Sequence, residues 1–217
     1  MIKLQNVEKF YHTRRGPRQI LKAVNLSIGH GDKLGILGRN GAGKSTLIRI
    51  ISGAEQPTSG NVVRDMSASW PLAYTGAFQS ALTGVDNIRF ICRIYGVEPT
   101  ERIAFIQQFS DLGDYLYEPI NTYSAGMRAR LAFAVSMSIE FDCFLIDEVI
   151  SVGDSRFHEK CRVELFEKRA DRALVIVSHD VGYIREHCTR AAVLVSGSLH
   201  NFDTIDEAFD FYGHSLS

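Results

Sequence analysis

Nowhere in this 217-residue chain do about 18 consecutive apolar residues occur, so no segment reads as a transmembrane helix. The first residues, MIKLQNVEKF, lack the apolar core of a secretory signal, and the chain is expected to stay in the cytoplasm. Cysteine is sparse. Cys92, Cys143, Cys161 and Cys188 stand far apart with no C-x-x-C pair, which fits reduced, buried thiols and argues against both a disulfide framework and a zinc site. Charge of one sign is lacking too. Lys and Arg number 24 against 25 Asp and Glu, a net charge of −1, so there is no electrostatic footprint for nucleic acid. The one small basic cluster, Arg14, Arg15 and Arg18, reads as a solvated loop. There is no internal repeat, no low-complexity tract and no N-K-x-D motif of the kind that reads guanine.

What is present is a phosphate-binding pattern. Gly38 to Ser45 read GRNGAGKS, the G-x-x-x-x-G-K-[ST] loop. The run KLGIL before it has the form of a buried strand. The run STLIRIIS after it has helical periodicity, with Leu47, Ile50 and Ile51 on one side and Gly53 as a stop. The turn therefore opens a helix, whose unpaired N–H groups and positive dipole end stabilise an anion. Gly38, Arg39, Asn40, Gly41, Ala42, Gly43, Lys44, Ser45 and Thr46 are the candidate nucleotide contacts. Lys44 is placed to reach the outer phosphates, and the Ser45 hydroxyl to ligate Mg²⁺. Kinases, GTPases, helicases and transport ATPases all use such a loop, so it names a ligand and leaves the task open.

Along the rest of the chain, Ile2 and Leu4, then Val24, Leu26 and Ile28, alternate with polar residues as strands, with a Gly/Pro/Arg loop between them. Residues 62–79 carry mixed strand and turn signals. Residues 86–138 look helical. Ile88, Ile91, Cys92 and Tyr95 share one face, Thr100 is the expected cap of a second helix using Ile103, Ile106 and Phe109, and a third follows Ser124 with Met127, Leu131, Ala134, Val135 and Ser138 inward. CFLID and ALVIVS are buried-strand runs, joined by a helix carrying Phe157, Cys161 and Leu165. A hairpin around Ser196-Gly197 and a short helix follow. Strands alternating with helices, interrupted by a helical block, predict an α/β core with a helical subdomain.

Three further groups carry chemistry. CFLIDE places Asp147 and Glu148 at the carboxyl end of a buried strand, the end that faces the ligand crevice in open α/β sheets. Asp147 is placed to hold Mg²⁺ and Glu148 to polarise an attacking water. The next strand ends in SHD, with His179 beside the same crevice as a candidate γ-phosphate contact. YSAGM, Tyr123 to Met127, puts Ser124 and small residues at a helix start, a second anion-binding terminus suited to a neighbouring chain's nucleotide.

These motifs, in this order and spacing, resemble ATP-binding-cassette (ABC) proteins over nearly the whole chain. The resemblance implies a P-loop NTPase of ABC type: a RecA-like core, an N-terminal antiparallel β subdomain, and a helical subdomain inserted at about 86–138, forming one nucleotide-binding domain over 1–217. It implies that Tyr11 stacks on adenine. It implies that Gln79 links Mg²⁺ and the attacking water to the helical subdomain, and that Asp154, in the loop after the acidic pair, joins the cofactor-binding set. The usual LSGGQ signature is YSAGM here. Ala125 and Gly126 still offer backbone N–H groups, whereas Met127 loses an amide contact. The loop after Glu148 reads VISVGD where many cassettes have a proline and an SALD-like run.

SWPLAYTGAFQSALTG and FDCFLIDEVISVGDSRFHEKC, with the YS-x-GM signature, resemble the ATPase subunits of Gram-negative capsular polysaccharide exporters. Exporters of O-antigen and teichoic acid share the signature, some with an appended carbohydrate-binding domain for which this chain has no room. The implied protein is an ATP- and Mg²⁺-dependent hydrolase working as a homodimer with an integral membrane permease and the polysaccharide export machinery of the envelope. It would lie peripherally on the cytoplasmic face of the inner membrane, without nucleic acid. Phe78, Leu82 and Phe90 are either permease contacts or subdomain core. Three other readings compete: a chromosome-maintenance cassette, a ribosome-associated cassette, and a regulatory module without turnover. About 80 positions separate Lys44 from Ser124, too few for the coiled-coil insertion of the first, and the second usually comes as tandem pairs. Glu148 and His179 together argue against the third.

Overall fold

The computed structural model describes residues 1–14, 16–147 and 154–215. In chain order the first elements are β1 (Ile2–Thr13), β2 (Gly16–Ile28), β3 (Lys33–Leu37), α1 (Lys44–Ser52), β4 (Ser59–Arg64), β5 (Ala68–Pro71), α2 (Gly84–Tyr95) and α3 (Pro99–Ser110). There follow α4 (Ala125–Ser138), β6 (Cys143–Asp147), α5 (Ser155–Arg162), β7 (Ala173–Ser178), α6 (Val181–His187), β8 (Arg190–Val195), β9 (Ser198–Phe202) and α7 (Ile205–His214). The chain divides into two compact units. One comprises Met1–Pro71, Phe141–Val149 and Asp171–Ser217; the other comprises Leu72–Glu140 and Ile150–Ala170.

The first unit holds two sheets. β2, β1 and β4 form an antiparallel sheet in that order, as the alternation of Ile2, Leu4, Val24, Leu26 and Ile28 predicts, and each of these residues is buried. The second sheet runs β5-β6-β7-β3-β8-β9, parallel throughout except for β9, which returns antiparallel from the Ser196-Gly197 turn. β7 is buried on both faces, and so is nearly all of β3 and β6. That is why these strands read as continuous apolar runs. α1 buries Leu47, Ile48, Ile50 and Ile51 in a core shared with Leu34, Ile36, Leu145, Val175 and Val177. β3 is thereby clamped between neighbours, and its carboxyl end has a fixed height in the sheet.

The helical unit is wider than residues 86–138, since it starts at Leu72 and takes in the segment that contains α5. Ile88, Ile91 and Cys92 of α2 are buried as their spacing predicts, but Tyr95 is exposed. α3 is capped by Glu98, with Pro99 in its first turn, and not by Thr100, whose N–H and hydroxyl both donate to Glu98. The reason is proline: its missing N–H costs nothing at a helix start, which moves the start forward. α4 is buried on every side from Leu131 to Ser138, while Met127 to Arg130 are all half-buried, so the single inner face expected for it is not found. Phe109, Phe133 and Phe157 pack ring against ring at centroid distances of 5.6–6.3 Å and tie α3, α4 and α5 together. After α5 the chain widens into a π-helical turn, Val163–Glu167.

Candidate nucleotide site

The phosphate-binding loop leaves the carboxyl end of β3 and enters α1 through Gly43, which has φ of +111°. A Cβ there would be strained by the backbone and pressed to 3.1–3.2 Å from Leu21 and Ile20. The N-terminus of α1 has no side-chain cap and no acidic residue in its first turn, so its dipole end is left for an external anion. Lys44 is only 7% exposed, and its Nζ donates to the carbonyls of Gly38 (2.7 Å) and Arg39 (3.1 Å). The ammonium therefore bridges the loop from within. The loop closes on itself through Ala42 N–H to Arg39 O, 3.1 Å.

In front of the loop lies a cavity of about 570 Å³. Its walls are Asn40, Gly41, Gly43, Lys44, Ser45 and Thr46 on one side, with Asp147, Arg18 and Ile20 completing it. Asp147 reaches it because β6 and β7 pair in register, Asp147 beside Val177, and β7 in turn sets Ser178 beside Leu37 at the end of β3. His179 directly follows that Ser178 and is exposed at the same carboxyl edge of the sheet. Glu148 lies outside the described residues. Ser45 and Asp147 thus present hard oxygen donors to one cavity, a set that suits Mg²⁺ held by one or two protein ligands together with phosphate.

Arg18 is exposed, as expected, but it lies in a strand and not in a loop. The β1–β2 pairing continues to Gly16, which places Arg18 in a strand directly opposite Tyr11. Cross-strand neighbours share a face, so the cation comes to the cavity wall with Tyr11 beside it. The only hint in the sequence was its strand-compatible spacing from Ile20. Tyr11 itself is half-buried, with its hydroxyl 3.5 Å from Thr46 Oγ1 in the first turn of α1.

In the helical unit, Ser124 caps α4, accepting Met127 N–H at 3.2 Å, and Ala125 and Gly126 are exposed beside it. As with α1, there is neither a first-turn acid nor an acidic cap, whereas α2, α3 and α7 carry first-turn acids and α5 and α6 are capped by Asp154 and Asp180. Tyr123, where many cassettes have leucine, is 3% exposed. Burial pushes its phenol up to about 12, and its hydroxyl donates to Tyr115 O. Room for the ring exists because residue 84 is glycine: a Cβ there would meet the Tyr123 hydroxyl at 2.6 Å and Leu116 O at 2.9 Å. Tyr123 and Gly84 are thus sterically linked.

The side chain of Gln79 is exposed, while its backbone is held on both sides by Asn87. Gln79 N–H donates to Asn87 Oδ1 (2.8 Å), and Asn87 Nδ2 donates to Gln79 O (3.1 Å) and Thr83 O (2.9 Å). Asn87 is 1% exposed, a polar residue on the apolar side of α2 that sequence reasoning passed over. Asp154 caps α5 through Phe157 N–H (3.0 Å) and pairs with Arg130 (2.9 Å), so both of its carboxylate oxygens are engaged within this unit. Phe78 is half-buried, and Leu82 and Phe90 are 43% and 49% exposed, too open to be subdomain core. No helix of the described residues is long and apolar enough to cross a membrane.

A family model described as ABC transporter matches residues 21–151. The chain is 58% identical over 215 residues to the ATP-binding protein BexA of Haemophilus influenzae, covering 99% of each chain. It is 56% identical over 212 residues to the capsule polysaccharide export ATP-binding protein CtrD of Neisseria meningitidis, covering 98% of each. Among solved structures it shares the fold of the ATP-binding cassette MJ0796, a dimeric post-hydrolysis state with ADP and Pi, at a TM-score of 0.77 and 24% identity over 93% of this chain and 98% of that one. By the family model and by these relatives, the chain belongs to the ABC transporter family.

Proposed function

We propose that this chain is the ATP-hydrolysing subunit that energises export of capsular polysaccharide across the bacterial inner membrane. The observation that carries the ATPase part is the shared cavity, where an uncapped helix N-terminus, the Lys44 ammonium and the Asp147 carboxylate converge. Resemblance along nearly all of BexA and CtrD carries the transport part.

ATP enters with its phosphates on the loop and its base toward Tyr11, Ile20 and Arg18. Loop N–H groups and Lys44 neutralise the phosphate oxygens. Ser45 and Asp147, with Gln79 as the family resemblance implies, would hold Mg²⁺, which would supply charge neutralisation at the outer phosphates. Glu148 accepts a proton from the attacking water, and His179 contacts the γ-phosphate. A second copy supplies Ser124, Ala125, Gly126 and Met127, with Asp154 at the junction, so a complete site needs two chains. ATP then favours the closed pair through its differential affinity for that state, and phosphate loss reopens it. An integral membrane permease takes up the motion through Gln79 and the exposed Leu82 and Phe90, and the chain sits peripherally on the inner face of the membrane with the envelope's polysaccharide export machinery beyond.

The test is Lys44→Ala in a capsulated host lacking the native gene. ATP turnover should fall on the order of 10²-fold or more and surface capsule should disappear, with polysaccharide retained inside. Near-normal turnover removes the phosphate-loop reading; lost turnover with normal capsule removes the export reading.

A further inference from the structure

The hydroxyl of Tyr11 is held by a charged cluster on and beside α1. It donates to Glu55 Oε1 at 2.6 Å and accepts from Arg49 Nη2 at 3.1 Å. Arg49 Nε pairs with Glu55 Oε2 at 2.9 Å, and Lys9 Nζ lies 2.8 Å from Glu55 Oε1 while donating to Gln56 O. Lys9 Nζ also stands 5.3 Å from the Tyr11 ring centroid, within cation–π range. Arg49 and Thr46 are one helical turn apart, and Arg49 reaches Thr46 Oγ1 at 3.3 Å. Burial disfavours the charged form of Glu55, yet hydrogen bonds from Lys9, Tyr11 and Arg49 outweigh it and lower its pKa to about 2.

We infer that Glu55 and Arg49 are positioning residues for nucleotide binding: they tether the Tyr11 ring by its hydroxyl to the helix whose first turn carries the phosphate loop. An aromatic ring anchored only at its Cα on β1 is free to rotate about two side-chain bonds. Tethered at its far end as well, it cannot swing. The span from base platform to phosphate loop is then set by α1 and by the pairing of β1 against its neighbours. The rotational freedom of the ring is lost on folding, and ATP does not have to order it.

This rests on the reading of Tyr11 as the base platform, and the experiment separates the two. Equilibrium dissociation constants are measured on the full chain for ATP and for inorganic tripolyphosphate, which has phosphates and no base. Tyr11→Ala, Tyr11→Phe, Glu55→Ala and Glu55→Gln are compared. Ordering one side chain on binding costs roughly threefold to tenfold in affinity. Tyr11→Phe and Glu55→Ala should each weaken ATP by about that much and leave tripolyphosphate unchanged. The double variant should be no worse than either single, since both cut the same tether. Glu55→Gln, which keeps a carbonyl to accept the Tyr11 hydroxyl, should recover part of the loss. If Tyr11→Ala leaves ATP affinity intact, the platform reading fails. If Tyr11→Ala weakens ATP but Tyr11→Phe and Glu55→Ala do not, the tether fails alone. Equal weakening of tripolyphosphate by Glu55→Ala would show a collapsed loop and overturn the positioning role.

Discussion

The N-termini of α1 and α4 have neither a first-turn acid nor an acidic cap, yet they are finished differently. α1 starts at Gly43 with nothing capping it, and Lys44 bridges the loop in front. α4 starts at Ser124, whose own hydroxyl satisfies Met127 N–H. An uncapped terminus leaves orphan donors that cost free energy until an anion arrives, so it binds strongly by itself. A capped terminus has already met part of its demand. It adds a hydroxyl and a dipole to an anion that something else holds. On the proposed reading the first is the primary phosphate site and the second an accessory one, as a nucleotide shared between two copies would require.

The sharpest way to break that contrast is Ser124→Ala beside Lys44→Ala. Ser124→Ala should lower ATP hydrolysis by on the order of 10²-fold, the cost of removing one donor from developing charge. ATP affinity measured at protein concentrations where the chain is monomeric should stay within about twofold. Lys44→Ala should lose both. Parallel loss of affinity and rate in Ser124→Ala would make the two termini equivalent and erase the distinction.

A smaller effect tests the tyrosine that precedes the cap of α4. Gly84→Ala pushes a methyl into the Tyr123 hydroxyl and Leu116 O, and overpacking of this kind costs about 1–3 kcal/mol. Chemical denaturation of the single variant and of Gly84→Ala with Tyr123→Leu would measure it. The double variant should recover part of the loss, because leucine removes the hydroxyl but Leu116 O stays. No recovery would show that Tyr123 and Gly84 are independent.

Legibility followed range. The loop, α1, β3, β6 and β7 were plain in the sequence because each is set by local pattern: glycine spacing, a 3.6-residue period, a short apolar run. Asp147 and His179 could be placed together since parallel strands end at one edge. What escaped was set by pairing between distant segments. Arg18 looked like loop until register put it opposite Tyr11. Asn87 was passed over among the apolar positions of α2, though its amide holds the backbone of Gln79. Glu55 followed the helix stop at Gly53 as one more loop residue, and nothing local says that it meets Tyr11 and Lys9 across 44 and 46 positions of sequence. Thr100 lost its capping role to Glu98 because a proline lay between them.

The mildest prediction concerns that carboxylate and sharpens the picture of α1 as the rigid partner in the comparison. Glu55 ionises at about 2 in the folded chain against an ordinary value of 4.5. A carboxyl whose folded pKa is depressed contributes stability that is fully present above its unfolded pKa and is lost as pH falls through the folded one. Urea unfolding of the parent and of Glu55→Gln should therefore differ by a constant amount at pH 5 to 7, and the gap should narrow between about pH 4.5 and 2 as the parent loses its ion pairs with Lys9 and Arg49. The substitution keeps size and acceptor, so the narrowing isolates charge. The Glu55 side chain is half-buried, with 19% exposed, so added salt should close the gap only in part at neutral pH. A gap of the same size at every pH would mean that Glu55 acts through packing alone, and the end of α1 would then owe its rigidity to its apolar face rather than to the charged cluster.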